Sequence, residues 1–385
     1  MRFEFATATR IVFGTGVRQE AAGATAALGR RALLVTGATP ERVSGCLAGM
    51  PMVPFAVAGE PAIETIRRGV ALARQESCDV VVAIGGGSAI DAGKALAALL
   101  TNPGDPLDYL EVIGRGQRLE RAPAPFIAMP TTAGTGSEVT RNAVLGSPEH
   151  RVKASLRSEL MLPRLALIDP ELTLGLPLSV SASTGLDALT QLIEPYVSVR
   201  ANAMTDLFCV EGMRRAARAL PRVRENGGDI DARTDMSWAA LLGGLALANA
   251  GLGAVHGFAA PIGGMFQAPH GGVCAALLPH VMEINVRALR DRAISHQQSA
   301  ITRTLERYEQ VARLLTGCPQ ATPEEGIRWL AELCRQMEIP PLRTYGVSGS
   351  DLPVLVEKAA RASSMKGNPI ALDKTELSEI IARAL

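Results

Sequence analysis

DVVVAIGGGSAIDAGKALAALL, residues 79–100, decides the fold class. It passes from an apolar, β-rich run through three consecutive glycines into a helical pattern of small residues. A continuous Val/Ile run ending at a turn signal reads as a strand buried on both faces, as in a parallel sheet covered by helices. Glycines at the turn let the backbone approach a ligand closely. The helix that follows offers N–H groups and partial positive charge to a phosphate. The run is not the GxGxxG fingerprint, because Ile90 stands where the third glycine would be. A glycine turn between strand and helix is also common with no ligand, so this stretch alone leaves both readings open.

Outward from it the same alternation continues. ALLVT (32–36), FIAMP (126–130) and LALID (165–169) are further strand runs, and PAIETIRRGVALARQES (61–77) is a helical one. Together they predict βαβ units and a mostly parallel sheet. FEFATATRIVFGTG (3–16) predicts an edge strand pair, and RNAVLG and RVKASLR around SPEH (147–150) predict a hairpin. After DPELTLGLPLS (169–179) the β-rich runs stop. Segments such as ATPEEGIRWLAELCRQME (321–338) and DLPVLVEKAARASS (351–364) carry caps and apolar spacings of three and four. The expectation is an α/β nucleotide-binding domain with a parallel sheet over residues 1–180 and an all-α domain over 181–385. A catalytic cleft between the two is the default location for chemistry.

Composition narrows the partners. Lys plus Arg number 39 against 38 for Asp plus Glu, so no long-range field gathers nucleic acid or an anionic membrane. Aromatics at 4% also argue against base-stacking platforms. Trp238 to Val255 is nearly uncharged and long enough to cross a bilayer, but it is rich in Ala and Gly, contains Asn249 and has no basic flank. It is read as a buried helix. The six cysteines form no CxxC pair, which disfavours an all-thiolate zinc site and fits a reducing compartment. MRFEFATATR has no signal-peptide pattern, so a cytoplasmic location is expected. A homodimer is compatible with the sequence.

Two further groups of residues carry chemistry. PTTAGTGSE (130–138) follows the strand FIAMP and offers hydroxyls and glycines at the end where open α/β sheets bind ligands. Its plainer reading is a polar loop capped by Ser137. Three of the five histidines, His256, His270 and His280, fall in one stretch. Asp187 and Gln191 are four apart on a helical pattern and so share a face. Asp187, His256 and His270, with Gln191 as a weak fourth donor, form a set able to hold a divalent cation. Histidines in Ala-rich helices are more often hydrogen-bonded core residues, and spacing alone does not separate the readings. His280 and His296 are read as structural, and His150 as an exposed turn residue.

At these residues the chain resembles the iron-containing alcohol dehydrogenases, relatives of glycerol dehydrogenase and dehydroquinate synthase. The motifs are GGGSAIDAGK (85–94), PTTAGTGSEVTRNAV (130–144), LIDP (167–170), STGLDALTQLIEPYVS (183–198), GLGAVHGFAAPIGGMFQAPHG (251–271) and MKGNP (365–369). The resemblance spans nearly the whole chain. It implies a dehydroquinate synthase-like fold, an alcohol or aldehyde substrate, NAD or NADP, and Fe2+ or Zn2+. By position, Gly85, Gly86, Gly87 and Ser88 would hold the pyrophosphate, with Asp91 and Lys94 in the same motif. Thr131, Thr132 and Thr135 would lie along the dinucleotide, and Lys153 near it. Asp187, His256 and His270 match three of four metal ligands. The family's remaining ligand, a histidine, is replaced by Gln191, and a further family histidine linked to proton transfer is replaced by Ala260. Gly37 stands where NAD-preferring relatives often carry Asp, and Thr39 could donate to a phosphate, so NADP should be tolerated.

The implied reaction is hydride transfer between an alcohol carbon and nicotinamide. A cation would help by stabilising the alkoxide of a group whose pKa is roughly 16. In a metal-free cleft, His256 and His270 would be the catalytic groups that meet the substrate directly. Two rivals share the architecture: a dehydroquinate synthase-like lyase, and a metal-free nucleotide-binding homologue without turnover.

Overall fold

The computed structural model describes residues 3–40, 43–293 and 298–385, so His296 lies outside the described residues. The chain divides into two compact units, Phe5–Leu174 and Gly175–Leu385, the latter including Phe3 and Glu4.

In the first unit, β1 (Ile11–Phe13), β2 (Ala32–Thr36), β3 (Met52–Ala56), β4 (Val80–Gly85), β5 (Phe126–Pro130) and β8 (Leu165–Ile168) form one sheet. Its order is β1-β8-β5-β4-β2-β3, with every pairing parallel. Helices α1 (Ala21–Ala26), α2 (Ile63–Gln75), α3 (Gly87–Thr101) and α4 (Pro106–Tyr109) belong to the same unit. Successive side chains on a strand face opposite ways, and both faces are buried here. Leu33, Val35, Val81 and Ala83 pack with Ile66, Val70, Ile90 and Leu96 of α2 and α3. Leu34, Val82, Ile84 and Leu167 pack on the other face with Ala21 and Leu47. At Gly93 a Cβ would sit 2.7 Å from both Ala83 Cβ and Phe126 Cε2, so glycine lets α3 press against the sheet.

The predicted strands ALLVT, DVVVAIG, FIAMP and LALID are the central four, and the predicted hairpin is β6 (Asn142–Ser147) with β7 (Val152–Arg157). Two differences lie at the edges. The opening segment forms one short strand, β1, rather than a pair. Its neighbour β8 is only four residues long, and Pro163 just upstream has no N–H to extend the ladder. The edge strand β3 gives almost no sequence signal, because Val53 is its only buried residue and Pro54 lies in its middle.

The second unit is helical: α5 (Leu178–Val197), α6 (Ala203–Glu225), α7 (Ile230–Ala250), α8 (Ala254–Met265), α9 (His270–Ala293), α10 (Gln298–Thr316), α11 (Pro323–Gln336), α12 (Leu352–Arg361) and α13 (Lys374–Ala384). Helix α5 packs against α6, α7 and α9 and is buried along most of its length. The stretch Trp238–Val255 spans the end of α7 and the start of α8, which meet at 98°. Helix α9 is long and apolar enough to cross a membrane, but 78% of its most apolar window is buried within the fold. The Thr322 and Glu325 side chains form a reciprocal cap at the start of α11.

Candidate active site

The first candidate region lies at the carboxyl ends of β2, β4 and β5. The chain reverses its direction of strand addition between β2 and β4, and open α/β sheets bind ligands at that switch point. A cavity of about 680 Å³ opens there, lined by Gly37 and Thr39 after β2, Gly85 at the end of β4, Gly86 next to it, and Thr131 after β5. Arg18 and Glu171 also line it and pair with each other at 2.6 Å. No pattern in the sequence had singled these two out.

The glycines of this turn are not equivalent. A Cβ on Gly85 would meet Ala89 Cβ at 2.6 Å, and one on Gly87 would meet Thr135 Cγ2 at 2.7 Å. A Cβ on Gly86 would touch only Thr132, no closer than 3.4 Å. Gly86 is the N-cap of α3, so the helix's unpaired N–H groups begin beside it. Thr132 and Thr135 therefore rest directly on the glycine turn, and the Thr131 N–H donates to the Gly85 carbonyl at 2.9 Å. Ser88 sits half-buried in the first turn of α3.

Asp91 and Lys94 brace this arrangement from within. The Asp91 carboxylate accepts from Ser137 Oγ and from the Val144 N–H at 3.0 Å, and it pairs with Lys94 Nζ at 3.1 Å. Lys94 also donates to Thr140 Oγ1 at 2.9 Å and to the Asn142 carbonyl. Both partners tie α3 to the loop after β5 and to β6 rather than facing the cavity. Beside them Glu138 is buried, and burial pushes its carboxyl up to about 7, against the pull of Lys94. Lys153, on β7, pairs with Glu60 at 2.6 Å.

The second region lies wholly within the helical unit. Asp187 sits on α5, His256 near the start of α8, and His270 opens α9. Cys274, one turn along α9, joins them, and one donor atom from each of the four lies within 4.8 Å of the others. Asp187 Oδ1 is 3.4 Å from His256 Nε2 and 3.7 Å from His270 Nε2. Cys274 Sγ is 3.8 Å and 3.7 Å from the same two nitrogens. Asp187 Oδ1 is buried and accepts no hydrogen bond among the described residues. A buried carboxylate oxygen left open and facing two imidazoles is what a cation site requires.

Glu194 and Gln191 hold the set from behind. Glu194 Oε2 accepts from His256 Nδ1 at 2.7 Å, while Oε1 accepts from the Val255 N–H at 2.7 Å. With its proton on Nδ1, His256 presents the Nε2 lone pair to the centre of the group. The Gln191 Nε2 amide donates to Asp187 Oδ2 at 3.0 Å, and its Oε1 is buried with no hydrogen-bond partner among the described residues. Electrostatics point the same way. Burial opposes charge on His256, yet Cys274, Asp187 and Glu194 hold it well above the ordinary imidazole range. Burial likewise opposes charge on Asp187, and the two histidines hold it below the usual carboxylate value.

The glycine and threonine loops come together in one region, and Asp187, His256 and His270 in another. His150 is exposed in its turn and contacts Ser147 Oγ at 2.8 Å, and His280 is half-buried on α9. Sequence reasoning missed Glu194 and Cys274. Cys274 lies four residues after His270 on one helix, a spacing that places both on the same face.

Comparison with known proteins fits both regions. Residues 8–170 match the model of the iron-containing alcohol dehydrogenases, and residues 181–385 match that of the Fe-containing alcohol dehydrogenase family, C-terminal. Alcohol dehydrogenase 4 of Saccharomyces cerevisiae is 37% identical over 84% of this chain and 80% of its own length. The NAD-dependent methanol dehydrogenase of Bacillus methanolicus is 33% identical over 97% of each chain. The crystal structure of a 1,3-propanediol oxidoreductase superposes with a TM-score of 0.90 at 32% identity, covering 100% of both chains.

Proposed function

The chain belongs to the iron-containing alcohol dehydrogenase family, and from that premise we propose a site-by-site account of how it interconverts an alcohol and its aldehyde. The dinucleotide lies in the crevice after β2, β4 and β5, and a divalent cation is held by Asp187, His256 and His270. The observation that carries the account is Asp187 Oδ1, buried without a hydrogen-bond donor and facing two imidazole nitrogens. When bound, the dinucleotide supplies the hydride acceptor, and the cation supplies the charge that draws an alcohol's pKa down from roughly 16.

The chain's own residues do the rest. Gly86 leaves open the space a pyrophosphate needs, and the N–H groups at the start of α3 face it. Asp91 and Lys94 fix the threonine loop against that turn. Glu194 fixes the tautomer and ring orientation of His256. Residue 260 is an exposed alanine, so the alcohol proton passes to water rather than to a side chain there. Gly37 places no carboxylate beside the cofactor's ribose, which supports use of NADP as well as NAD. All six cysteines are unbridged, which supports a reducing cytoplasmic setting.

Removal of metal tests the account. Treatment with a strong chelator should abolish alcohol oxidation and aldehyde reduction without loss of helical circular dichroism, and added zinc or iron should restore both. Full turnover by protein shown by elemental analysis to hold no metal would mean that the two histidines meet the substrate directly.

A further inference from the structure

We propose that Cys274 is the fourth protein ligand of the cation, in place of the side chain at position 191, and that the resulting Asp–His–His–Cys set selects zinc. The inference rests on the metal-assisted reading above and deepens it by naming a ligand and a metal.

Three observations lead to it. The first is metric. A tetrahedral zinc with bonds of about 2.3 Å to sulfur and about 2.05 Å to nitrogen or oxygen has sulfur–nitrogen edges of about 3.6 Å and oxygen–nitrogen edges of about 3.3 Å. Cys274 Sγ lies 3.8 Å and 3.7 Å from the two Nε2 atoms, and Asp187 Oδ1 lies 3.4 Å and 3.7 Å from them. These four separations are tetrahedral edges, each within a few tenths of an ångström. With all four donor atoms also within 4.8 Å of one another, each can reach a cation placed among them, and the alcohol oxygen would join as a fifth donor during turnover.

The second is the state of Gln191. Its Nε2 amide is turned to Asp187 Oδ2 at 3.0 Å. Exchanging the amide's oxygen and nitrogen would set a carbonyl oxygen against a carboxylate, so this orientation is fixed by its partner. The side chain thus clamps the non-ligating oxygen of Asp187 and leaves Oδ1 to the cation. The third is the setting of Cys274 itself. It is fully buried, and its sulfur is turned to both imidazole nitrogens from one turn beyond His270.

The donor chemistry completes the argument. A thiolate is a soft, anionic donor suited to zinc, whereas a neutral amide oxygen is a poor one. With Asp187 and Cys274 both ionised, a divalent cation is neutralised within its own ligand set, which favours burial. Binding displaces the thiol proton to solvent, and no oxidation is involved.

Cobalt reads the ligand directly. Protein stripped of metal and loaded with Co2+ should show d–d absorption in the visible, together with a thiolate-to-cobalt charge-transfer band in the near ultraviolet. Cys274→Ser should lose the near-ultraviolet band and keep the visible one, while Gln191→Ala should keep both. In anaerobic reconstitution with equimolar Zn2+ and Fe2+, the parent should take up zinc. The zinc-to-iron ratio should fall by about tenfold or more in Cys274→Ser. Visible bands without the near-ultraviolet band in the parent would overturn the ligand assignment and leave the proposed function standing. Iron uptake equal to or above zinc in the parent would overturn the choice of metal. No cobalt bound at all would overturn both this inference and the reading beneath it.

Discussion

The crevice after β2, β4 and β5 is built from backbone, and the pocket around Asp187 is built from side chains. The first needs the absence of atoms: a Cβ at Gly86 would meet only Thr132, at ordinary contact distance, so the glycine keeps the turn's surface bare. The second needs particular atoms, brought from α5, α8 and α9 to within 4.8 Å of one another. A site of the first kind is set once the strand–turn–helix unit forms, and it is broken by adding a side chain. A site of the second kind is broken by removing one, and it can exchange donors while the helices stay in place. Gln191 standing for a histidine and Cys274 reaching the same centre illustrate that second freedom.

The largest effect expected from this contrast is at Gly86. Gly86→Val should abolish NAD(H) and NADP(H) binding in fluorescence titrations while leaving the thermal midpoint within a few degrees of the parent. Gly87→Val, whose Cβ would meet Thr135 at 2.7 Å, should lose binding and stability together. A Gly86→Val protein that binds dinucleotide normally would break the comparison at its simpler end.

In the side-chain pocket, Glu194 acts through His256. Glu194→Gln keeps the shape but weakens the acceptor at Nδ1, and such changes cost about 10–100-fold in metal affinity. Zinc competition with a chromophoric chelator should show a loss in that range, with helical content unchanged. Affinity equal to the parent's would show that His256 needs no orienting partner.

A smaller effect is expected where a side chain is added to the backbone-built crevice. Gly37→Asp should shift the NAD/NADP preference in kcat/KM toward NAD by about tenfold, through repulsion of the 2′-phosphate. The parent should use both cofactors. No measurable turnover with NADP(H) by the parent would refute the reading of Gly37.

The smallest concerns stability. Glu138 titrates near 7 when folded, above the ordinary value of 4.5, because it is buried. A raised folded value means the folded protein binds the proton more tightly. The contribution is therefore fully present below about 4.5 and is lost as pH rises through about 7. Glu138→Gln should flatten the fall in thermal midpoint between those pH values, by an amount on the order of 1–3 kcal/mol in unfolding free energy. A parent and variant with parallel pH profiles would show that Lys94 already neutralises the carboxylate.

The same contrast governs what the sequence disclosed. The central strands were legible because burial on both faces makes them continuous apolar runs, and the hairpin because a turn signal splits two strand patterns. The edge strand β3 was not, since one buried residue and a proline carry no period. The glycine turn and threonine loop were visible as contiguous motifs. The pocket's donors are scattered from residue 187 to 274, so residue type and spacing linked Asp187 to the histidines only weakly, and the family resemblance strengthened the link. That same resemblance drew attention to position 191 and away from Cys274. Which helix face a side chain shares with residues far away in sequence is decided by packing.

The central claim is that the helical unit holds a divalent cation through Asp187, His256 and His270. Titration of chelator-stripped protein with zinc, followed by equilibrium dialysis and elemental analysis, tests it most directly. The account predicts one tightly bound equivalent per chain in the parent and much weaker uptake in His256→Ala and His270→Ala. The absence of saturable zinc uptake by the folded parent, or equal uptake by the two histidine variants, would contradict it.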